Sequence, residues 1–254
     1  MKLRTHSESF QESGKIAGDD CRDLLATFGY HKSKITPGFF THETRPINFT
    51  LIVDDFGVKY KNIEDFTHLK DCLSLRYKMK VDMEAKQYVG IDLQWDYTNR
   101  TLDCSMDEYV ETALSKFEHA LPKQHYHAPS KAIRPNCGAK MQCVEDDLTS
   151  RKLTPTEIKR IQKVIGKFLF LARAVDNTIL HALNELACDV TKGTEKTLEA
   201  ATYLLNNVAC NPKPTIRFQA SDMILQIDSD AAFYVRPEAR SCAGGYLQVR
   251  RYVQ

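Results

Sequence analysis

The chain has 254 residues, of which 43% are hydrophobic and 27% charged, with a formal net charge of +2. That balance supports a buried core, excludes wholesale disorder, and suits one large domain or two small ones. A charge so near neutrality gives no general pull on nucleic acid, so any such affinity must come from local clustering.

No apolar run approaches the ~20 residues of a membrane span. The polar opening from Met1 to Ser9 lacks the apolar stretch of a signal peptide. Cysteines stand at Cys21, Cys72, Cys104, Cys137, Cys143, Cys188, Cys210 and Cys242, with no CxxC pair. Their scatter predicts free thiols in a reducing compartment.

In chain order, residues 12–29 read as a helix with Ile16, Leu24, Leu25 and Phe28 roughly on one face and Gly29 as its stop. Residues 48–53 (NFTLIV) and 56–60 (FGVKY) read as two strands joined by Asp54-Asp55, the length of a tight hairpin turn. An amphipathic helix over 63–79 carries Phe66, Leu69, Leu73 and Tyr77. A second hairpin follows, with strands at 87–95 and 101–104. Ser105 to Glu108 is a capping-box sequence opening a helix to about His119, and Thr154 to Glu157 is another, with Pro155 at the first helical position. Between them, 125–150 is polar and aperiodic and reads as a linker. Helices are expected over 155–175, 178–190 and 195–209, then strands over 215–219, 223–229 and 245–249. The expected class is α+β, with a boundary near 211–214.

Asp54 and Asp55 carry the sharpest chemical signal, because an apolar strand ends in two carboxylates and a second strand leaves at once. Nucleotidyl transfer uses such carboxylates to hold two Mg²⁺ ions about 3.5–4 Å apart, and magnesium favours hard oxygen ligands. Aspartates are also ordinary surface-turn residues, so the dipeptide alone admits both readings. His119, His125 and His127 with Cys137 and Cys143 lack zinc-like spacing. Lys159, Arg160, Lys163 and Lys167 form a basic stripe at helical spacing, suited either to a solvated face or to tracking a phosphate backbone.

Together these segments resemble the reverse transcriptase of copia-type LTR retrotransposon polyproteins, running into the start of ribonuclease H. NFTLIVDDFGVKY, from Asn48 to Tyr60, is similar to the catalytic hairpin, whose Tyr/Val-x-Asp-Asp box is here Ile52-Val53-Asp54-Asp55. Gly29-Tyr30 and Thr36-Pro37-Gly38 resemble the linker before it. Tyr88-Val89-Gly90-Ile91 resembles the "FLGI" strand that grips the primer end, and LDCSMDEY, from Leu102 to Tyr109, resembles the turn into the thumb helix. Ile165-Gly166 through Ala172-Arg173 and Asp176 resemble the connection helix. IDSDAAFYVRPEARSCAGGY, from Ile227 to Tyr246, resembles the opening of ribonuclease H. The match covers nearly the whole chain from about Gln11.

The resemblance implies a partial palm and thumb start over 1–150, a helical thumb and connection over 151–211, and a truncated ribonuclease H-like sheet over 212–254. It implies Asp54 as catalytic metal ligand, Asp55 as its supporting neighbour, two Mg²⁺ ions as cofactor, and Tyr88, Val89, Gly90 and Ile91 as primer grip. Asp230 matches the first ribonuclease H carboxylate, with Asp228 as an alternative for that role. Lys78 and Lys80 lie where the family carries a lysine near the triphosphate. Implied partners are an RNA or DNA template-primer, a deoxynucleoside triphosphate and the rest of the polyprotein, with no membrane. The implied setting is intracellular, in a cytoplasmic virus-like particle or the nucleus.

The chain departs from the family in three places. Acids preceding the hairpin (Glu8, Glu12, Asp19, Asp20, Asp23, Glu43) sit in polar or helical context, and none ends an apolar strand as the family's third carboxylate does. Glu12 stands where a glutamine covers the incoming nucleotide, bringing unfavourable charge towards a triphosphate. After Asp230 the sole acid is Glu238, where ribonuclease H needs three or four. The expectation is a polymerase fragment inactive by itself; the alternative is a non-enzymatic remnant or nucleic-acid-binding module.

Overall fold

The computed structural model describes residues 2–5, 11–131, 149–236 and 240–250, and the chain forms two compact units, 1–94 and 95–254. The class is α+β, as expected. In the first unit, strands β1 (Lys2–Thr5), β2 (Tyr30–Lys32), β3 (Phe39–His42), β4 (Ile47–Ile52), β5 (Asp55–Tyr60) and β6 (Met79–Asp82) form one antiparallel sheet in the order β2-β3-β4-β5-β1-β6. Helices α1 (Gln11–Ala26) and α2 (Ile63–Ser74) complete it. The order β1-α1-β4-β5-α2-β6 is the split βαβ arrangement, with β2 and β3 inserted before β4.

The core explains why these segments adopt these states. Ile47 and Phe49 on β4 alternate inward with period 2, as Phe56 and Val58 do on β5. On α2, Phe66, Leu69 and Leu73 recur at helical spacing, and they meet Cys21 and Leu25 of α1 over the same sheet face. Phe40 stacks on Phe49 with ring centroids 4.9 Å apart. The helix expected over 63–79 ends at Ser74, because Met79 to Asp82 is taken by β6 at the sheet edge beside β1.

Next comes a short hairpin, β7 (Gln87–Tyr88) with β8 (Ile91–Asp96). The continuous strand expected over 87–95 is broken by a two-residue turn at Val89-Gly90, both with positive φ (51° and 78°). That is the signature of a type I′ hairpin, which glycine enters without steric cost.

The second unit holds β9 (Thr101–Ser105), β10 (Thr215–Gln219), helices α3 (Asp107–Lys116), α4 (Pro155–Ala174), α5 (Leu180–Asp189) and α6 (Glu195–Cys210), and a ribbon of β11 (Ile224–Arg236) with β12 (Arg240–Arg250). The helices share a core that includes Val110, Ile161, Phe168, Leu183 and Leu204. α4 opens with the expected capping box: Glu157 N–H donates to Thr154 Oγ1 and Thr154 N–H to Glu157 Oε2. The box expected at Ser105 does not form; α3 is capped at Met106 without a side-chain bond, because Ser105 is the last residue of β9.

The compact units divide between Gln94 and Trp95. Strand β10 pairs with β9 from Thr215 opposite Ser105 to Gln219 opposite Thr101, so the chain after Asn211 returns to the strand preceding α3. The polar linker expected over 125–150 lies largely outside the described residues. Among the described residues no helix is long and apolar enough to cross a membrane.

Candidate active site

The paired aspartates lie at the β4–β5 hairpin, one position away from the expected geometry. Ile52 pairs with Asp55, so the two loop residues are Val53 and Asp54, and Asp55 opens β5. Val53 has φ 56° and is 86% exposed. A β-branched residue in the left-handed region is strained by ~1–2 kcal/mol, and the strain sits immediately before the acids. Asp54 is half-buried. Asp55 was expected at a solvent-accessible tip, yet it is only 7% exposed. As the first residue of a strand with neighbours on both sides, it is covered where a turn residue is not.

On the side away from β4, β5 pairs with β1 and β1 with β6. Asp55 lies opposite Arg4, and Arg4 opposite Lys80, so the three form one row across three strands. At about 4.8 Å per strand, Lys80 stands roughly 10 Å from Asp55 along that row. Lys78 is exposed between α2 and β6.

Tyr88 is brought onto the same hairpin. Its phenol oxygen is 2.7 Å from Thr50 Oγ1 of β4. Burial pushes the Tyr88 phenol up from its ordinary pKa, and the Asp55 charge adds to the rise. Gly57 makes this approach possible: a Cβ there would lie 2.9 Å from Thr50 Oγ1 and 3.1 Å from Tyr88 Cζ. Tyr88, named from sequence for another role, thus locks the acid-bearing hairpin from the side. The residues that receive it, Thr50 and Gly57, escaped notice, although a glycine inside a strand signals close approach of another group. Val89 and Gly90 form the β7–β8 turn, and Ile91 pairs back with Tyr88.

The other named residues stand apart. Asp230 lies on β11 opposite Gly244, exposed, and accepts the Ala231 N–H at 2.8 Å. Asp228, two positions away on the same ribbon face, lies opposite Tyr246. Of the basic stripe on α4, Arg160 donates to the Phe117 carbonyl at 2.9 Å, and Lys167 sits 4.0 Å over the Tyr109 ring. Desolvation lowers the Lys167 pKa, with Lys116 adding to the effect. Lys159 and Lys163 are exposed. His119 bonds Asn206 at 2.8 Å, His125 packs on His127, and Cys137 and Cys143 lie outside the described residues.

Asp54 and Asp55 offer the hard oxygens magnesium prefers, and one or two protein carboxylates plus water and phosphate are its common complement. Among the described residues no group of three or more His, Cys, Asp or Glu gathers to hold a metal. The two carboxylates are oxygen donors of the kind magnesium takes, with half-buried Asp54 the more open and Asp55 7% exposed. No family model matches the chain, and neither a curated protein nor a solved structure matches it.

Proposed function

We propose that this chain is part of the reverse transcriptase of a copia-type LTR retrotransposon, with the 1–94 unit as its palm and the segment from Ile227 as a ribonuclease H-like start. In the intact polyprotein it would serve Mg²⁺-dependent nucleotidyl transfer on an RNA or DNA template-primer with a deoxynucleoside triphosphate. The observation that carries this reading is the Asp54-Asp55 pair at the β4–β5 hairpin of a split βαβ unit. A fold of this kind hosts many activities, so the weight rests on the acids and not on the topology. Asp54 and Asp55 would hold the metal. When bound, Mg²⁺ supplies charge that activates the primer 3′-hydroxyl and stabilises the leaving pyrophosphate. Tyr88 keeps the hairpin still, and Lys80, on the Asp55 row, is a cation for the triphosphate.

One observation favours a second reading, a nucleic-acid-binding module without catalysis. Strand β1, paired with β5 beside Asp55, reads KLRT and carries no acidic residue, whereas two-ion chemistry draws on several carboxylates. The two readings share metal binding at Asp54 and differ in turnover.

Paramagnetic titration with Mn²⁺ tests what they share. Asp54→Asn should weaken Mn²⁺ binding at least tenfold without altering the circular dichroism. Unchanged Mn²⁺ affinity in that variant would dispose of the metal-site reading. Primer extension by the full chain separates the two. We expect none; Mg²⁺-dependent, template-directed incorporation lost in Asp54→Asn would establish catalysis.

A further inference from the structure

We propose that Trp95 and Tyr97 form a stacking platform for an unpaired base of single-stranded nucleic acid. The proposal deepens the polymerase reading, on which it rests, by assigning a contact for an unpaired strand of the template-primer. The two rings are nearly parallel, 10° apart in plane, with centroids 6.0 Å apart. Both are open to solvent: Trp95 is 44% exposed and Tyr97 81%. A tyrosine that open gains little from the protein's own core, yet it is held beside the tryptophan in offset-stacked geometry. The outer ring face of such a stack is an aromatic surface on which a further ring can continue the stack, and every nucleobase has a π-face to do so.

The backbone beneath the rings is fixed. Asp96, between them, accepts the Asn99 N–H at 2.9 Å and the Asn99 side-chain amide at 2.7 Å. Those bonds hold its carboxyl below the usual range, the backbone one foremost. The turn closes with Arg100 in the left-handed region, its carbonyl accepting the Ala220 N–H at 3.1 Å just beyond β10. The platform is thus pre-formed, which reduces the ordering cost of binding.

Charge decides what kind of ligand is favoured. Arg217 is clamped by Asp103 through bonds of 2.6 and 2.5 Å, and its charge also helps to hold the Asp96 carboxyl low. Arg217 is thus already committed to the chain's own carboxylates, so phosphate attraction is weak and stacking must carry the affinity. A polyanion without bases should bind poorly, and binding to a single strand should depend little on salt, unlike contacts dominated by phosphate. DNA and RNA single strands should be equivalent here, since a stacking surface does not read the 2′-hydroxyl.

Trp95 is the chain's single tryptophan, so tryptophan emission, excited selectively over the 11 tyrosines, reports on this site alone. Oligo(dT), oligo(U), a blunt duplex and heparin would be titrated into the full chain. We expect quenching by both single strands, little by duplex or heparin, and a shallow salt dependence. Tyr97→Ala should weaken oligo(dT) binding roughly 5- to 150-fold, as expected for losing one base stack, while Tyr97→Phe should retain it. At its exposure, neither change should disturb the fold. Heparin quenching as strong as oligo(dT), or wild-type affinity in Tyr97→Ala, would overturn the proposal. So would a concentration-dependent blue shift of Trp95 without nucleic acid, which would make the surface a protein-docking site. If Mn²⁺ binding requires Asp54 but no oligonucleotide quenches Trp95, the platform fails alone. If single strands quench Trp95 but Asp54→Asn leaves Mn²⁺ binding intact, the polymerase reading fails and the platform stands.

Discussion

The β4–β5 hairpin and the β11–β12 ribbon both pair antiparallel strands and both carry aspartates, but only one is covered. In the hairpin, Phe49 and Phe56 are almost wholly buried, with β3 on one flank and β1 on the other. In the ribbon, Leu225, Ile227, Leu247 and Val249 fall on one face by register, yet remain 58%, 57%, 63% and 47% exposed. The ribbon has the longer ladder and the weaker hold. Backbone hydrogen bonds exchange water for protein at small net gain, so a two-stranded ribbon without a buried face is marginal however many bonds it makes.

The widest gap should appear in amide exchange. Opening of β4 at Phe49 and Leu51 should approach the global unfolding cost, on the order of 5 kcal/mol or more, while β11 at Leu225 and Ile227 should open at almost none. Equal protection would mean that the ribbon has found cover. Next in size, Phe56→Ala should destabilise the first unit by about 3–5 kcal/mol in chemical denaturation. Leu247→Ala in the ribbon should change stability by less than about 0.5 kcal/mol. Similar losses would show that exposure does not rank the two sites.

A smaller effect probes the hairpin's lateral lock. Gly57→Ala puts a methyl against Thr50 Oγ1 and the Tyr88 ring and should cost about 1–3 kcal/mol. If the clash with Tyr88 causes the loss, Tyr88→Ala in the same chain should recover part of it; simple additivity would say otherwise.

The smallest effect is alkaline. Burial raises the pKa of Tyr30, Tyr77 and Tyr88, all in the first unit. A raised folded pKa gives stability that is complete below the unfolded value of 10.0 and is lost as pH climbs past it. Tyr88→Phe should flatten that fall; an unchanged alkaline slope would remove Tyr88 as a contributor.

Much of this was legible in the chain, and the misses have physical causes. Strand–acid–strand was visible from NFTLIV and FGVKY. The turn was placed one residue late because both registers bury the same side chains. Pairing Val53 with Phe56, or Ile52 with Asp55, leaves Phe49, Leu51, Phe56 and Val58 on one face, so the apolar pattern could not choose. Turn preference pointed to Asp-Asp, and the fold took Val53-Asp54 despite the strain at valine. The two capping-box sequences differ in the same way. Thr154 was free to cap, whereas Ser105 was already committed to a strand whose partner lies far along the chain. The row of Asp55, Arg4 and Lys80 was invisible for a related reason, since no local pattern reports which strand settles beside β5.

That distant partnership also sets an order of events. The Arg217–Asp103 pair that staples β10 to β9 joins residues 114 apart in sequence. Closing a loop of that size before anything else has formed is entropically costly, and five residue pairs return little at once. Helices α3 to α6, with their local contacts, can condense first and carry residue 215 back to residue 105. Strand β10 is therefore expected to dock last, a latch thrown after the frame has assembled. In refolding, the Trp95 signal at the start of this unit should settle in a phase later than the gain of helical circular dichroism.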